Sequence, residues 1–460
     1  MTRSLLAQAL QELNWTSETF AHKLIQYANL HGRSNYLHPK TPYKWVSGHH
    51  PRPPWPQLTA ELLSAQLRRH ITPTDLGWTA TGHGEHPHPL AADSGLTGPW
   101  TVERALHSMH AVTDADPMER RTFLILTGAA MGSAAHQWLL ATEEAPDLAH
   151  SGGTRRIQIS TVDELDLMAG GLRRLDDHGD GDSLLPVVRA HLRHVVELLE
   201  SGTYTNTVGR RLYSIAGELL RLAGWLCFDS GAHARAQRCW LAALRAAHVA
   251  GDRALAANVI GCMSCQAKDI GEVDQAVTLA ESALAGYRRA TPRVSAILHL
   301  RAAEAHACAG TELRTRAAIE AAFTNLDNHA GDAPDWSYWL NAGHAHGQAG
   351  YAFLRLGHHR DARRHLRTAI RLQDPSATRE AALRYTLLAT TYLREHDLEH
   401  ALTLAGQAVK VLASDVTSNR VTSHLVTFMR ELTPHQRRPD VRHLAESIRS
   451  LQPTTSTARN

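Results

Sequence analysis

"YTLLATTYLREHDLEHALTLAGQAV", Tyr385 to Val409, reads as two helices folded back on one another. Apolar residues recur at three- and four-residue intervals on both sides of the polar break "REHD", and His396 stands where the chain reverses. Ala389 precedes that turn by seven residues, Ala401 follows it by five and Ala408 by twelve. Small side chains at such places let two helices approach closely.

Working towards the N-terminus, the same ladder returns. Turn positions fall at Gly231, Gly271, Gly310, Gly357 and His396, spaced by 40, 39, 47 and 39 residues. The small residue before each turn is Gly224, Ser264, Ala303, Gly350 or Ala389. Alanine follows at Ala236, Ala276, Ala362 and Ala401, and again at Ala243, Ala283, Ala369 and Ala408. The third unit fits only with two residues inserted, at Ala317 and Ala321. A helical hairpin repeated at this period is the signature of a solenoid.

This small-residue ladder resembles the tetratricopeptide repeat, whose period of 34 residues is shorter by five or six than most spacings here. The resemblance spans 213–415, with 416–450 reading as capping helices and 451–460 as a disordered tail. Tetratricopeptide arrays turn first-helix residues towards a concave groove. The resemblance therefore implies a ligand or partner groove of Arg221, Trp225, Lys268, Glu304, Tyr351, Thr386 and Thr390. Trp336 and Trp339 in "DAPDWSYWL" read as core anchors rather than ligand clamps.

The rest of the chain agrees with an all-α class. Its 460 residues are 43% hydrophobic and 20% charged, rich in Ala, Leu and Arg, and long enough for two or more domains. Helices are expected near 100–111, 117–142, 160–176 and 184–201 in a connecting region, 100–212, with N-caps at Ser160 and at Asp182 or Ser183. "ERRTFLILTGAAMGSAAHQWLLA", Glu119 to Ala141, looks like a twin-arginine export signal, but it lies far from the N-terminus and is broken by Gly128, Gly132, His136 and Gln137. It reads as a buried helix, with no membrane span. Between Thr79 and Pro99, "TATGHGEHPHPLAADSGLTGP" has no apolar periodicity and reads as a linker.

Five cysteines in a large chain without an N-terminal signal peptide predict free thiols in a reducing cytosol. Cys262 and Cys265 form a lone CxxC inside a repeat helix and read as core packing, not zinc or redox chemistry. The 31 histidines, including His86 to His88 and His344 to His346, show no metal-ligand spacing, so no metal or cofactor is expected. No nucleophile elbow, phosphate-binding loop or dinucleotide fingerprint appears, which predicts a protein that is not an enzyme.

Net charge is only +3, but residues 1–78 hold eight Lys or Arg against four acids. This segment runs from an amphipathic helix with Leu5, Leu6, Ala9, Leu10 and Leu13, through "NWTSETFAHKLIQYANLHG" and "HPKTPYKWVSGHHPRPPW", to a final helix and a short apolar close. Trp15-Thr16, Phe20-Ala21-His22-Lys23-Leu24, Trp45-Val46-Ser47-Gly48 and Pro53-Pro54 resemble the Xre/Cro-type helix-turn-helix family over residues 4 to 78. The resemblance puts Pro39 and Pro42 in the first turn of a recognition helix, with Trp45 inward and Gly48 at its end. Lys40, Thr41, Tyr43 and Lys44 would then meet base edges of double-stranded DNA, flanked by Arg33, Ser34, His49, His50 and Arg52 on phosphates. The connection before the recognition helix, "ANLHGRSNYLHPKT", is longer than the family's usual three or four residues.

A helix-turn-helix joined to a repeat array also resembles two groups of regulators: actinobacterial repressors of sporulation and antibiotic production, and peptide-pheromone receptors. Either implies a cytoplasmic, homodimeric transcription factor, here a repressor, with a peptide or small-molecule effector in the repeat groove. The alternative is an interaction scaffold whose N-terminal domain docks a protein.

Overall fold

A computed structural model describes residues 5–78 and 99–451, apart from 14, 31–37, 39–40, 48, 50, 52–54, 68–70, 72–75, 77, 115–128, 142–145, 179–180, 289, 329–332, 375–377 and 415–417. The expected linker, all but Pro99, and residues 452–460 of the expected tail lie outside that set. The chain forms two units, Met1–His88 and Pro89–Asn460, each described here by itself.

The first unit comprises α1 (Leu5–Glu12), α2 (Ser17–Leu30), α3 (Thr41–Val46) and α4 (Trp55–Leu67). Thr16 caps α2, its hydroxyl accepting from the Thr19 amide at 3.1 Å. Trp45 holds the core together. Its ring centroid lies 6.4 Å from those of Phe20 and Trp55 and 6.1 Å from that of Trp78, edge-on to Phe20 and Trp78. Leu6, Leu24, Leu58 and Leu63 complete this core.

The second unit opens with α5 (Val102–Thr113), α6 (Ala129–Leu140), α7 (Ile159–His178) and α8 (Gly181–Ser201). The helices α7 and α8 begin one and three residues earlier than expected, so Ser160, Asp182 and Ser183 lie in first turns and not at caps. Of the expected 117–142 helix, α6 is the described part. Its Trp138 is fully buried, packed so tightly on Gly286 that a Cβ there would lie 2.0 Å from the indole. Among the described residues, extended pairing is limited to a two-residue parallel pair, Arg155–Arg156 with Gly202–Thr203, and an isolated bridge between His150 and Tyr204. Among the described residues no helix is long and apolar enough to cross a membrane.

Five hairpins follow: α9 (Asn206–Asp229) with α10 (His233–Ala250), α11 (Arg253–Asp269) with α12 (Val273–Gly286), α13 (Pro292–Cys308) with α14 (Glu312–Asp327), α15 (Ala342–Arg355) with α16 (His359–Arg371), and α17 (Thr378–Arg394) with α18 (Leu398–Ser414). Closing helices are α19 (Asn419–Glu431) and α20 (Pro439–Ser450). The architecture is an all-α solenoid.

All five predicted turns are left-handed, with φ of 83, 87, 70 and 79° at Gly231, Gly271, Gly310 and Gly357, and 64° at His396. In each, the turn amide bonds to the carbonyl three residues back and the next amide to that five before it, as with Gly271 to Lys268 and Glu272 to Ala267. This double closure ends a helix and reverses the chain in two residues.

The small-residue ladder is where the paired helices touch. A Cβ at Gly224 would meet the Trp240 indole at 2.4 Å and one at Gly350 the Leu366 side chain at 2.6 Å, while the Ser264 hydroxyl donates across to the Ala276 carbonyl at 2.7 Å. The third hairpin corrects the expected insertion: its contact positions are Thr315 and Ala322, both fully buried, while Ala317 is exposed and Ala321 half-buried. Thr315 fits the alanine slot by donating its hydroxyl back to the Thr311 carbonyl at 3.0 Å. The 47-residue spacing arises instead between α14 and α15, where a 3-10 turn, Asp335–Ser337, is inserted.

Candidate functional site: a cavity in the repeat unit

The first helices of the hairpins surround a cavity of about 440 Å3. The ninth residue before each turn lines it in all five hairpins: Leu222, Cys262, Arg301, Gln348 and Leu387. The sixth does so in four (Trp225, Cys265, Glu304, Tyr351) and the thirteenth in three (Asn258, His344, Leu383). Steps of four and three residues trace one face of an α-helix, so each repeat contributes the same stripe.

Five of the seven expected groove residues are on the wall: Arg221, Trp225, Lys268, Glu304 and Tyr351. Thr386 and Thr390 are not. Thr386 is buried and donates to the Ala382 carbonyl at 2.8 Å, and Thr390 to the Thr386 oxygen at 2.9 Å, so both hydroxyls are spent on their own helix. Trp336 is a core residue as expected, with Trp339 packed against the core, and both also line the cavity. Sequence reading missed Arg301, although the ladder of ninth residues carried its signal. It also missed Arg173, Arg379, Arg384, Arg420 and His424, which no ladder marks.

The last of these arrive by closure of the stack. Near the end of α9, Asp229 accepts from the Ser418 hydroxyl at 3.0 Å and Arg420 Nε at 3.1 Å, with Arg379 Nε at 3.8 Å. Arg379 pairs with Asp176 of α7 at 2.9 Å, Arg173 with Glu218, and the Tyr338 hydroxyl donates to Asp177. The final hairpin and α19 thereby meet α7 and α9, about 200 residues earlier in the chain, and add their side chains to the wall of the cavity, the chamber of the concave face.

Inside, Lys268 lies 2.6 Å from Asp269 and 3.6 Å from Glu304, and 4.3 Å from the Tyr351 ring. Burial works against its charge, but Asp269, Tyr351 and Glu304 outweigh burial and raise its pKa. Burial likewise opposes ionisation of Glu380, yet Arg420, His344, Arg384 and Arg379 bring its pKa down to about 2. Burial raises the Cys262 thiol and pushes Cys265 up to about 11, so both are protonated at neutral pH. All five cysteines are free thiols.

Elsewhere, His346 and His365 stand 2.9 Å apart beside Phe323. Among the described residues no group of three or more His, Cys, Asp or Glu is placed to hold a metal ion.

In the first unit, α3 has only six residues. Thr41 is half-buried at its start, Pro42 is buried in its first turn, and Tyr43 and Lys44 are exposed. The Tyr43 hydroxyl reaches Glu18 at 3.5 Å, and exposed His49 folds back on the Lys44 carbonyl. Arg33, Ser34, Pro39, Lys40, Gly48, His50 and Arg52 lie outside the described residues.

Residues 6–79 match the family model described as the SP15 N-terminal domain, over about a sixth of the chain. That family is not the Xre/Cro helix-turn-helix family which the motifs resemble. A search of curated proteins gives no match. Among solved structures, a Podosopora anserina protein described as a kinesin light chain with nearly identical TPR-like repeats is 15% identical, covering 44% of this chain and 97% of its own, with a TM-score of 0.29. The solenoid assignment rests on the hairpins themselves.

Proposed function

We propose that the chain is a sequence-specific DNA-binding transcriptional regulator, a cytoplasmic repressor acting as a homodimer, whose repeat unit senses a signal. The observation that carries this reading is the division of α3. Pro42 and Trp45 face the core, while Tyr43 and Lys44 face solvent on a unit whose sequence is rich in base. Lys44 makes no ion pair among the described residues, which leaves its ammonium for a phosphate or a base edge. A dimer would raise affinity by engaging two half-sites at high effective concentration. The repeat unit is read as the sensor because its concave face holds a cavity lined with charged and aromatic groups, which suits recognition of a ligand.

Fluorescence anisotropy with genomic fragments tests the DNA half. Retention should be sequence-selective and weaken steeply with salt, and Lys44→Ala should reduce the log–log salt slope by about 1. Absence of retention at low salt would defeat the regulator and favour the scaffold.

A further inference from the structure

We infer that the chamber binds a small organic acid, its carboxylate held by Arg221 and Arg301 and its apolar body resting on Leu222, Leu387 and Trp339. The inference deepens the sensor half of the proposed function by naming the chemistry of the signal.

Arg301 is the point of departure. It is 8% exposed and lies on the wall, its guanidinium 5.7 Å from the Trp225 ring and 5.8 Å from that of Trp339. Its one acidic neighbour is Glu304, at 3.7 Å, and that carboxylate also faces Lys268 at 3.6 Å. Neither distance is a hydrogen bond, and Arg301 makes none among the described residues. Arg221, half-buried, has no acidic partner there and its Nε is buried without a hydrogen bond, while its guanidinium donates to the Cys262 thiol, which Arg301 also influences. A buried guanidinium without full pairing is costly. Two incompletely paired guanidiniums on one wall, Arg301 buried and Arg221 half-buried, leave a place for an anion, and the planar guanidinium fork matches a carboxylate.

The other walls restrict the choice. Glu304 stands 3.7 Å from Arg301, which leaves room beside that guanidinium for a single carboxylate and favours it over a bulkier phosphate dianion. The Arg379–Asp176, Tyr338–Asp177 and Arg420–Asp229 contacts narrow the concave face around the two guanidiniums, which favours a compact ligand over an extended peptide. A volume of about 440 Å3 falls within the range of small-molecule sites, about 300–1,000 Å3.

Titration calorimetry on the full chain without DNA provides the test, with 1-naphthylacetate as probe, 1-naphthylacetamide as its neutral isostere and 1-naphthyl phosphate as the dianionic source. The acid should bind saturably, about tenfold or more tighter than the amide, and should lose about tenfold in Arg221→Gln and in Arg301→Gln. Arg221→Gln removes the less buried side chain and keeps the test open if Arg301→Gln fails to fold. Equal binding of acid and amide, undiminished binding by Arg221→Gln, tighter binding of the phosphate, or no binding of any probe at millimolar concentration overturns the inference. Because DNA is absent, a chain that binds the acid but no operator loses the regulator alone, and one that binds operator but no acid loses this inference alone.

Discussion

Replacing Asp229 with alanine should unlatch the end of the solenoid from its beginning. Its side chain is 8% exposed and accepts from Ser418 at 3.0 Å and Arg420 at 3.1 Å. Stranding one partner of a buried ion pair costs about 3–5 kcal/mol. Here Arg420 would keep Glu380 at 3.5 Å and Arg379 would keep Asp176 at 2.9 Å, so the lower end, about 3 kcal/mol, is expected. Urea unfolding followed by tryptophan fluorescence reads the loss, since Trp225 sits 5.6 Å from the Arg420 guanidinium. Hydrogen exchange should quicken first in α19, because a repeat array is stabilised locally by neighbouring interfaces. Asp440→Ala removes an exposed partner of Arg438 at 2.7 Å and should leave the midpoint unchanged. If Asp229→Ala unfolds like Asp440→Ala, the latch does not hold the chamber shut.

Three further outcomes can be measured. Burial lowers the His424 pKa to about 4 from 6.5, so the folded chain resists a proton that the unfolded chain takes up. Its contribution to stability is whole above about pH 6.5 and is lost as pH falls towards 4, by up to about 3 kcal/mol, and His424→Gln should flatten a melting profile measured across that window. Gly350→Ala should cost about 1–3 kcal/mol by forcing its Cβ into Leu366, whereas His396→Gly should gain about 0.5–1 kcal/mol by relieving a left-handed side-chain residue, both read by urea unfolding.

Much of the solenoid was legible because its hairpins obey local rules. A left-handed turn asks for glycine, and close helix contact asks for Gly, Ser or Ala, so Gly231 to His396 and the ladder around them could be read from spacing. The same phase placed Arg221, Trp225, Lys268, Glu304 and Tyr351 on one face, and the structure sets all five on the chamber wall. Thr315 escaped notice because a hydroxyl bonded to its own helix can occupy an alanine slot, a substitution invisible to a search for small side chains.

What sequence alone determined, then, is the helical class, the turns and the stripe each repeat presents, since these depend on residues within about forty positions of one another. What only tertiary structure decided is that the stripes line one shared chamber with side chains from distant parts of the chain. Asp176, Asp229, Arg379 and Arg420 are pieces of one latch, but nothing in their spacing announces it. The small rotation between successive hairpins must accumulate over the whole array before α19 meets α9, and that sum belongs to packing.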